Sequence, residues 1–268
     1  NIPAGFMVYT SIQDLEGIVS HSVDRGAGIN QPKELVRQYP GTVLQIGLYM
    51  VDALDDVVKG RYDANLRALS RWFKAVNIPV YLRIGYEFDF PDNHYDPAAY
   101  QKAYRYIVDF LRKEGVKNVA YVWHSYGHVN ALKPFTDWYP GDAYVDWFGV
   151  SFFSPGMGEL EIIARQAREH QKSFMIAEAT PYGIGVSGGQ KSWESWFRRL
   201  FAFVEKENVK ALCYINTDWE SLSMFQGQGW GDARVEENPL IKEKWIAETG
   251  REKYLQYSPG LLKSLAFE

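Results

Sequence analysis

The chain has 268 residues, 46% of them hydrophobic and 23% charged, which suits one large core in a single domain spanning 1–268. A net charge of −4 gives no electrostatic ground for a nucleic-acid or anionic-membrane partner. No apolar run reaches the roughly 18 residues that a membrane-spanning helix needs.

The chain begins at Asn1 without Met, which points to a removed leader and to a secreted or periplasmic protein. From there, short apolar runs recur at 5–10 (GFMVYT), 43–50 (VLQIGLYM), 79–88 (PVYLRIGYEF), 118–125 (NVAYVWHS), 145–153 (VDWFGVSFF), 173–180 (SFMIAEAT) and 209–216 (VKALCYIN). Such near-continuous runs are expected of strands buried on both faces. Helical periods separate them at 63–77, 98–115, 159–171 and 193–208, and DPAA at 96–99 places an acidic cap and a Pro at a helix start. The single cysteine, Cys213, lies inside the last apolar run, cannot form an internal disulfide, and reads as a small hydrophobe.

Strands alternating with helices imply parallel pairing through right-handed crossovers. Seven strands are legible; an eighth is expected between residues 11 and 35, where EGIVSHSV is the weak candidate. The fold class predicted is therefore α/β, a (β/α)8 TIM barrel. The rival, a doubly wound open sheet, lacks a strand leading into GxGxxG or GxxxxGK[ST].

In such a barrel the chemistry sits at the carboxyl ends of the strands. The residues standing there include Tyr9, Thr10, Ser11, Tyr49, Asp52, Arg83, Tyr86, Glu87, Asp89, Trp123, His124, Tyr126, Ser151, Phe153, Ser154, Glu178, Thr180, Asn216, Asp218, Trp219 and Glu220. Glu87 and Glu178 each end an apolar run, where an unpaired carboxylate is costly and needs a partner or a task. They stand 91 residues apart, three βα units of about thirty residues. With the missing strand counted second, they lie on strands four and seven, facing each other across the barrel mouth.

Opposed carboxylates are what glycoside hydrolysis requires, at roughly 5–5.5 Å for a retaining enzyme and roughly 6.5–9.5 Å for an inverting one. Glu87, between Tyr86 and Phe88, has the desolvated setting of an acid that keeps its proton. The other carboxylate has to stay ionised, and Arg83, four residues before Glu87, could serve it. Arg83 reads equally as part of a barrel-core salt bridge. The surplus of aromatics, at 9 Trp, 18 Tyr and 15 Phe, suits sugar stacking as well as packing, and Trp123, Tyr126 and Trp219 fit either use. Phe153 and Asn216 stand at strand ends, while Trp230, Asp232 and Arg234 lie in a Gly-hinged loop after the last strand, able to line the cleft or to close the barrel. His124 reads as a hydrogen-bond donor to a sugar hydroxyl or a neighbouring carboxylate. It has no HExxH partner, and His94, His128 and His170 do not converge on it, so neither a metal nor another cofactor is expected. Ser125 and Ser151 lack a GxSxG setting for a serine nucleophile.

The segments LRIGYEF and IAEATP, with VWHSYG and WYPGDAYVDWFGVSFF between them, resemble the clan A glycoside hydrolases and, within the clan, family 26, the β-mannanase family. The resemblance covers about residues 40 to 220. It implies an endo-acting enzyme that retains anomeric configuration on β-glycosidic bonds of a polysaccharide, with Glu87 as acid/base and Glu178 as nucleophile. Two features depart from the mannanases. Tyr86 stands where the family carries a His, and the segment INTDWESLSMFQGQGWGDARVEENPLI is not a mannanase motif. A related family acting on another polysaccharide, such as a marine galactan, is consistent with both. The competing class is a carbohydrate-binding barrel that has lost hydrolysis.

Overall fold

The computed structural model describes residues 2–24, 29–127, 134–154 and 158–267. Seven strands form one parallel sheet in sequence order: β1 (Gly5–Ser11), β2 (Val43–Tyr49), β3 (Val80–Ile84), β4 (Val119–Ser125), β5 (Trp147–Phe152), β6 (Ser173–Ala179) and β7 (Ala211–Tyr214). Helices α1 (Pro32–Gln38), α2 (Leu54–Val58), α3 (Asp63–Val76), α4 (Pro97–Lys113) and α5 (Gly158–Glu169) make the crossovers through β6, except between β4 and β5, where the described residues hold a single 3-10 turn at Phe135–Trp138. Between β6 and β7, α6 (Gln190–Ser192) runs through a π-turn at Trp193–Phe197 into α7 (Arg198–Lys206), and α8 (Pro239–Thr249) and α9 (Leu261–Ser264) follow the last strand.

The predicted alternation is present, with one correction. β1 pairs directly with β2, from Gly5 opposite Val43 to Ser11 opposite Tyr49, so no strand lies between them. The EGIVSHSV segment carries turns and bends, because its Ser, Gly and His residues interrupt any two-faced apolar run. Among the described residues the sheet has seven strands, not eight. Glu87 therefore follows β3 and Glu178 lies on β6, still three units apart.

The two faces of the sheet are filled differently. Outward-facing Leu44, Ile46, Leu82, Ile84, Phe148, Val150 and Ile176 pack under the helices in the main core. Inward-facing Tyr81, Val122, Trp147, Met175, Ala177, Ala211 and Cys213 form a smaller apolar plug. That plug joins β3 to β7, and Gln45 Nε2 on β2 donates to the Ala177 carbonyl on β6 at 2.7 Å, so the sheet curls round upon itself. Above the plug, the inward positions become polar.

The longest helix starts as its sequence requires. Asp96 Oδ1 accepts from Ala99 N at 2.9 Å, with Pro97 in the first turn, and Tyr100, Tyr104, Ile107, Val108 and Leu111 are buried at helical spacing. Asp96→Ala is expected to lower stability by about 1 kcal/mol, read as a lower urea midpoint at unchanged slope.

Candidate active site

β3 ends at Ile84, and the chain then turns sharply, with Gly85 at φ 55° and Glu87 at φ 53°. A left-handed Glu is strained by roughly 1 kcal/mol or more, so surrounding contacts have to hold it. Asn93 Nδ2 donates to the Glu87 carbonyl at 2.8 Å and to the Tyr86 carbonyl at 3.3 Å, and Phe90 N donates to the Glu87 carbonyl at 3.0 Å. Phe88, next in sequence, is driven into the outer core and stacks on Trp123 with ring centroids 4.5 Å apart. Anchoring the loop by Phe88 leaves the Glu87 side chain pointing to the mouth.

Glu178 reaches the same place by a different device. Along β6, Ile176 faces the helices and Ala177 faces the interior, so strict alternation would send residue 178 outward. The pairing between β5 and β6 slips by one residue here: Val150 lies opposite Ile176, but Ser151 lies opposite Glu178. This β-bulge turns Ala177 and Glu178 to the same side. Its Ala177 carbonyl is taken up by Gln45.

Turned inward, Glu178 accepts a hydrogen bond from Arg83 Nη1 and forms a buried ion pair with it. Arg83 is wholly buried, and its guanidinium carbon lies 5.0 Å from the ring centre of Tyr9 and 4.9 Å from that of Tyr86. Gly47 makes room for it: a Cβ there would stand 2.8 Å from both Arg83 Nη2 and Tyr9 Cδ1. Arg83 Nη1 also meets His124 Nδ1 at 3.2 Å, His124 Nε2 meets Ser151 Oγ at 3.0 Å, and Ser151 Oγ donates to Glu87 Oε1 at 2.5 Å. One hydrogen-bonded chain thus links the two carboxylates.

The two carboxylates sit in unlike environments. Desolvation first, and the Glu178 charge second, push Glu87 up to about 8, although its side chain keeps an exposed edge. Glu178 has the Arg83 guanidinium directly against it.

The remaining expected site residues divide into two groups. Tyr86 packs on Arg83. Tyr126, Phe153 and Trp230 form an aromatic wall, with ring centres 5.8 Å apart for the first pair and 5.6 Å for the second. Trp219 lies 4.8 Å behind Trp230 and donates from Nε1 to Thr180 Oγ1 at 2.9 Å. Away from the mouth, Trp123 is buried among Phe88, Tyr139 and Phe148 on the helix side of β4, one residue out of phase with His124. The Asp89 carboxylate accepts from Ser125 Oγ at 2.5 Å and Tyr126 N at 2.6 Å, which makes it a loop latch. Asn216 ties Glu236 to the Val235 amide. His94 pairs with Asp52 at 2.9 Å and His170 with Asp142 at 2.7 Å, while His128 lies outside the described residues. The sequence places Tyr9 and Ser151 at strand ends without giving either a part in the site, and Gln45 carries no signal there at all. The inward phase of β5, shared by residues 147, 149 and 151, is the signal that could have found Ser151.

Two strand-end carboxylates, one ion-paired and one held protonated by burial, match in kind what glycoside hydrolysis requires. Comparison of the sequence agrees: the profile of glycosyl hydrolase family 26 matches residues 45–190, and the chain belongs to that family. It is 32% identical to a β-1,3-xylanase of Vibrio sp and 31% identical to one of Alcaligenes sp, over 99% of this chain in both cases. The chain spans 64% and 62% of the length of those relatives. Its fold is similar to a GH26 β-mannanase from Bacteroides ovatus, with TM-score 0.68, 14% identity, and coverage of 94% of this chain and 80% of that one. An endo-β-1,4-mannanase from Cellulomonas fimi gives TM-score 0.60 at 22% identity, covering 81% of this chain and 56% of that one.

Two stability measurements test this geometry. Gly47→Ala should cost about 1–3 kcal/mol in chemical denaturation, because the added Cβ would stand 2.8 Å from the wholly buried guanidinium and from the buried Tyr9 ring. Glu87→Gln should stabilise at neutral pH by on the order of 1–3 kcal/mol. Since the folded value is raised to about 8, the stability that Glu87 contributes is fully present below its unfolded value near 4.5 and is lost as pH rises through 8. The stabilisation should therefore vanish below about pH 4 in thermal melts across pH.

Proposed function

We propose that this chain hydrolyses internal bonds of a β-1,3-xylan with retention of configuration, Glu87 serving as acid/base and Glu178 as nucleophile. The observation that carries the reading is the contrast between a carboxylate ion-paired to Arg83 and one raised to about 8 by burial, joined through Ser151 and His124. The substrate class follows the relatives that align over 99% of the chain, both of them β-1,3-xylanases, whereas the likeness to mannanases supports the fold alone.

In this mechanism Glu178 attacks the anomeric carbon while Glu87 gives its proton to the departing glycosidic oxygen. The glycosyl ester so formed no longer carries the Glu178 charge, which is the second cause of the raised Glu87 value. With Arg83 still positive beside it, Glu87 then favours ionisation and takes a proton from the water that displaces Glu178. Tyr126, Phe153 and Trp230 offer the apolar surface against which sugar rings are held. A polymer of this kind does not cross a membrane, so the reading carries with it an extracytoplasmic place of action.

The test is product analysis with β-1,3-xylan, β-1,4-xylan, β-mannan and galactans as substrates, beside the Glu178→Gln variant. Oligosaccharides of mixed length from β-1,3-xylan are expected, released initially in the β-configuration, with turnover in the variant lower by on the order of 10³-fold or more. Undiminished turnover in Glu178→Gln would sink the mechanism. A basic limb near pH 8 in kcat/KM is expected, because Glu87 has to be protonated in the free enzyme.

A further inference from the structure

We propose that Arg83, His124 and Ser151 form a one-way donor chain that ends on Glu87 Oε1 and so confines the acid proton to Oε2. The proposal deepens the hydrolytic reading and rests on Glu87 being its general acid. Arg83, His124 and Ser151 act here as positioning residues.

The direction of each link follows from which atoms can donate. A guanidinium has no acceptor, so at the 3.2 Å contact Arg83 Nη1 donates and His124 Nδ1 accepts. His124 is fully buried, and burial first, then the Arg83 charge, hold it well below its ordinary value. It is therefore neutral, and with Nδ1 accepting, its one proton sits on Nε2. That proton points at Ser151 Oγ, 3.0 Å away. Ser151 is itself fully buried, and among the described residues its hydroxyl has two partners, His124 and Glu87. Having accepted from His124, it gives its own proton to Glu87 Oε1 at 2.5 Å.

A proton placed on Oε1 would face the Ser151 oxygen and leave the serine hydroxyl buried without an acceptor, an unfavourable arrangement. The proton of the neutral carboxyl accordingly resides on Oε2, the oxygen free of this chain. The same geometry keeps the Glu87 plane fixed whichever protonation state it holds, because Oε1 accepts in both. The other charged and titratable groups around Glu87 are Glu178 on β6, Arg83 on β3, Asp89 on its own loop, and the hydroxyls of Tyr86 and Tyr126. None of these donates to Oε1. A donor to the charged form lowers the carboxyl value, so removing Ser151 should raise it.

The experiment follows the Glu87 carboxyl by 13C NMR in glutamate-labelled protein, assigned with Glu87→Gln, in wild type, Ser151→Ala and Ser151→Thr. The Ser151→Ala midpoint is expected to rise by roughly one pH unit, the basic limb of kcat/KM to move with it, and Ser151→Thr to restore both. A midpoint unmoved in Ser151→Ala overturns the proposal. The second measurement needs no variant: 15N NMR of the wild-type imidazoles should show His124 protonated on Nε2 alone from pH 5 to 9. Protonation on Nδ1 overturns the chain as well. Both spectroscopic readings are independent of turnover, so the two failures are told apart: failure of the donor chain shows in the spectra, and failure of the hydrolytic reading shows as no product from any of the glycans.

Discussion

Burying a guanidinium in the mouth of a curled sheet is the constraint from which the site is built. Arg83 has no exposed surface, and a charge so placed is tolerated only with an opposite charge and further contacts around it. Glu178 supplies the charge, His124 a lone pair, and the faces of Tyr9 and Tyr86 the polarisable walls. Each of these needs has a cost in the backbone. Position 47 has to be glycine for lack of room, and β6 has to break its alternation so that residue 178 turns inward. The bulge in turn frees a carbonyl, which takes Gln45 out of the apolar pattern of β2.

The division of labour between the carboxylates follows from that cation being closer to one than to the other. Arg83 touches Glu178 directly, and it reaches Glu87 only through the neutral side chains of His124 and Ser151. Direct contact gives Glu178 its ion-pair partner. At one remove, desolvation and repulsion from Glu178 outweigh the guanidinium, and Glu87 keeps its proton. Glu87 is also strained at φ 53°. Strain and a half-buried carboxyl are both destabilising, and they are sustained because Phe88, on the next residue, is locked into the main core.

The sequence made the alternating architecture and the two glutamates legible, because apolar strand runs and carboxylates ending them are local signals. The burial partners were partly legible: tyrosine and phenylalanine flank Glu87, but only the fold shows that Phe88 faces away from it while Tyr86 packs on Arg83. The strand count was not legible, since EGIVSHSV has β-branched residues without a sheet position to occupy. Trp123 and His124 both stand at the end of their apolar run, but adjacent strand residues cannot share a face, and the phase of β4 gives the mouth to His124. The bulge was out of reach entirely. Nothing in SFMIAEA marks where the pairing with β5 slips, and strict period-two counting would have sent Glu178 to the wrong side.

The aromatic wall is bound to the same strand that carries Glu178. Beyond β6, Gly183 N donates to the Trp230 carbonyl at 3.1 Å and Val186 N to the Asp232 carbonyl at 2.9 Å, which stitches the loop after β6 to the loop after β7. Gly185 permits the approach, since at φ 58° a Cβ there would lie 2.9 Å from the Asp232 oxygen. Glu220 holds the far side by accepting from the amides of Gly227 at 2.9 Å and Gly231 at 3.4 Å, and Trp219 hooks to Thr180 just past Glu178. Hydrogen bonds between backbones fix distance more tightly than side-chain packing does. Trp230 is thus referenced to the Glu178 strand through several short links, and a sugar ring held against it would meet a surface already ordered before binding.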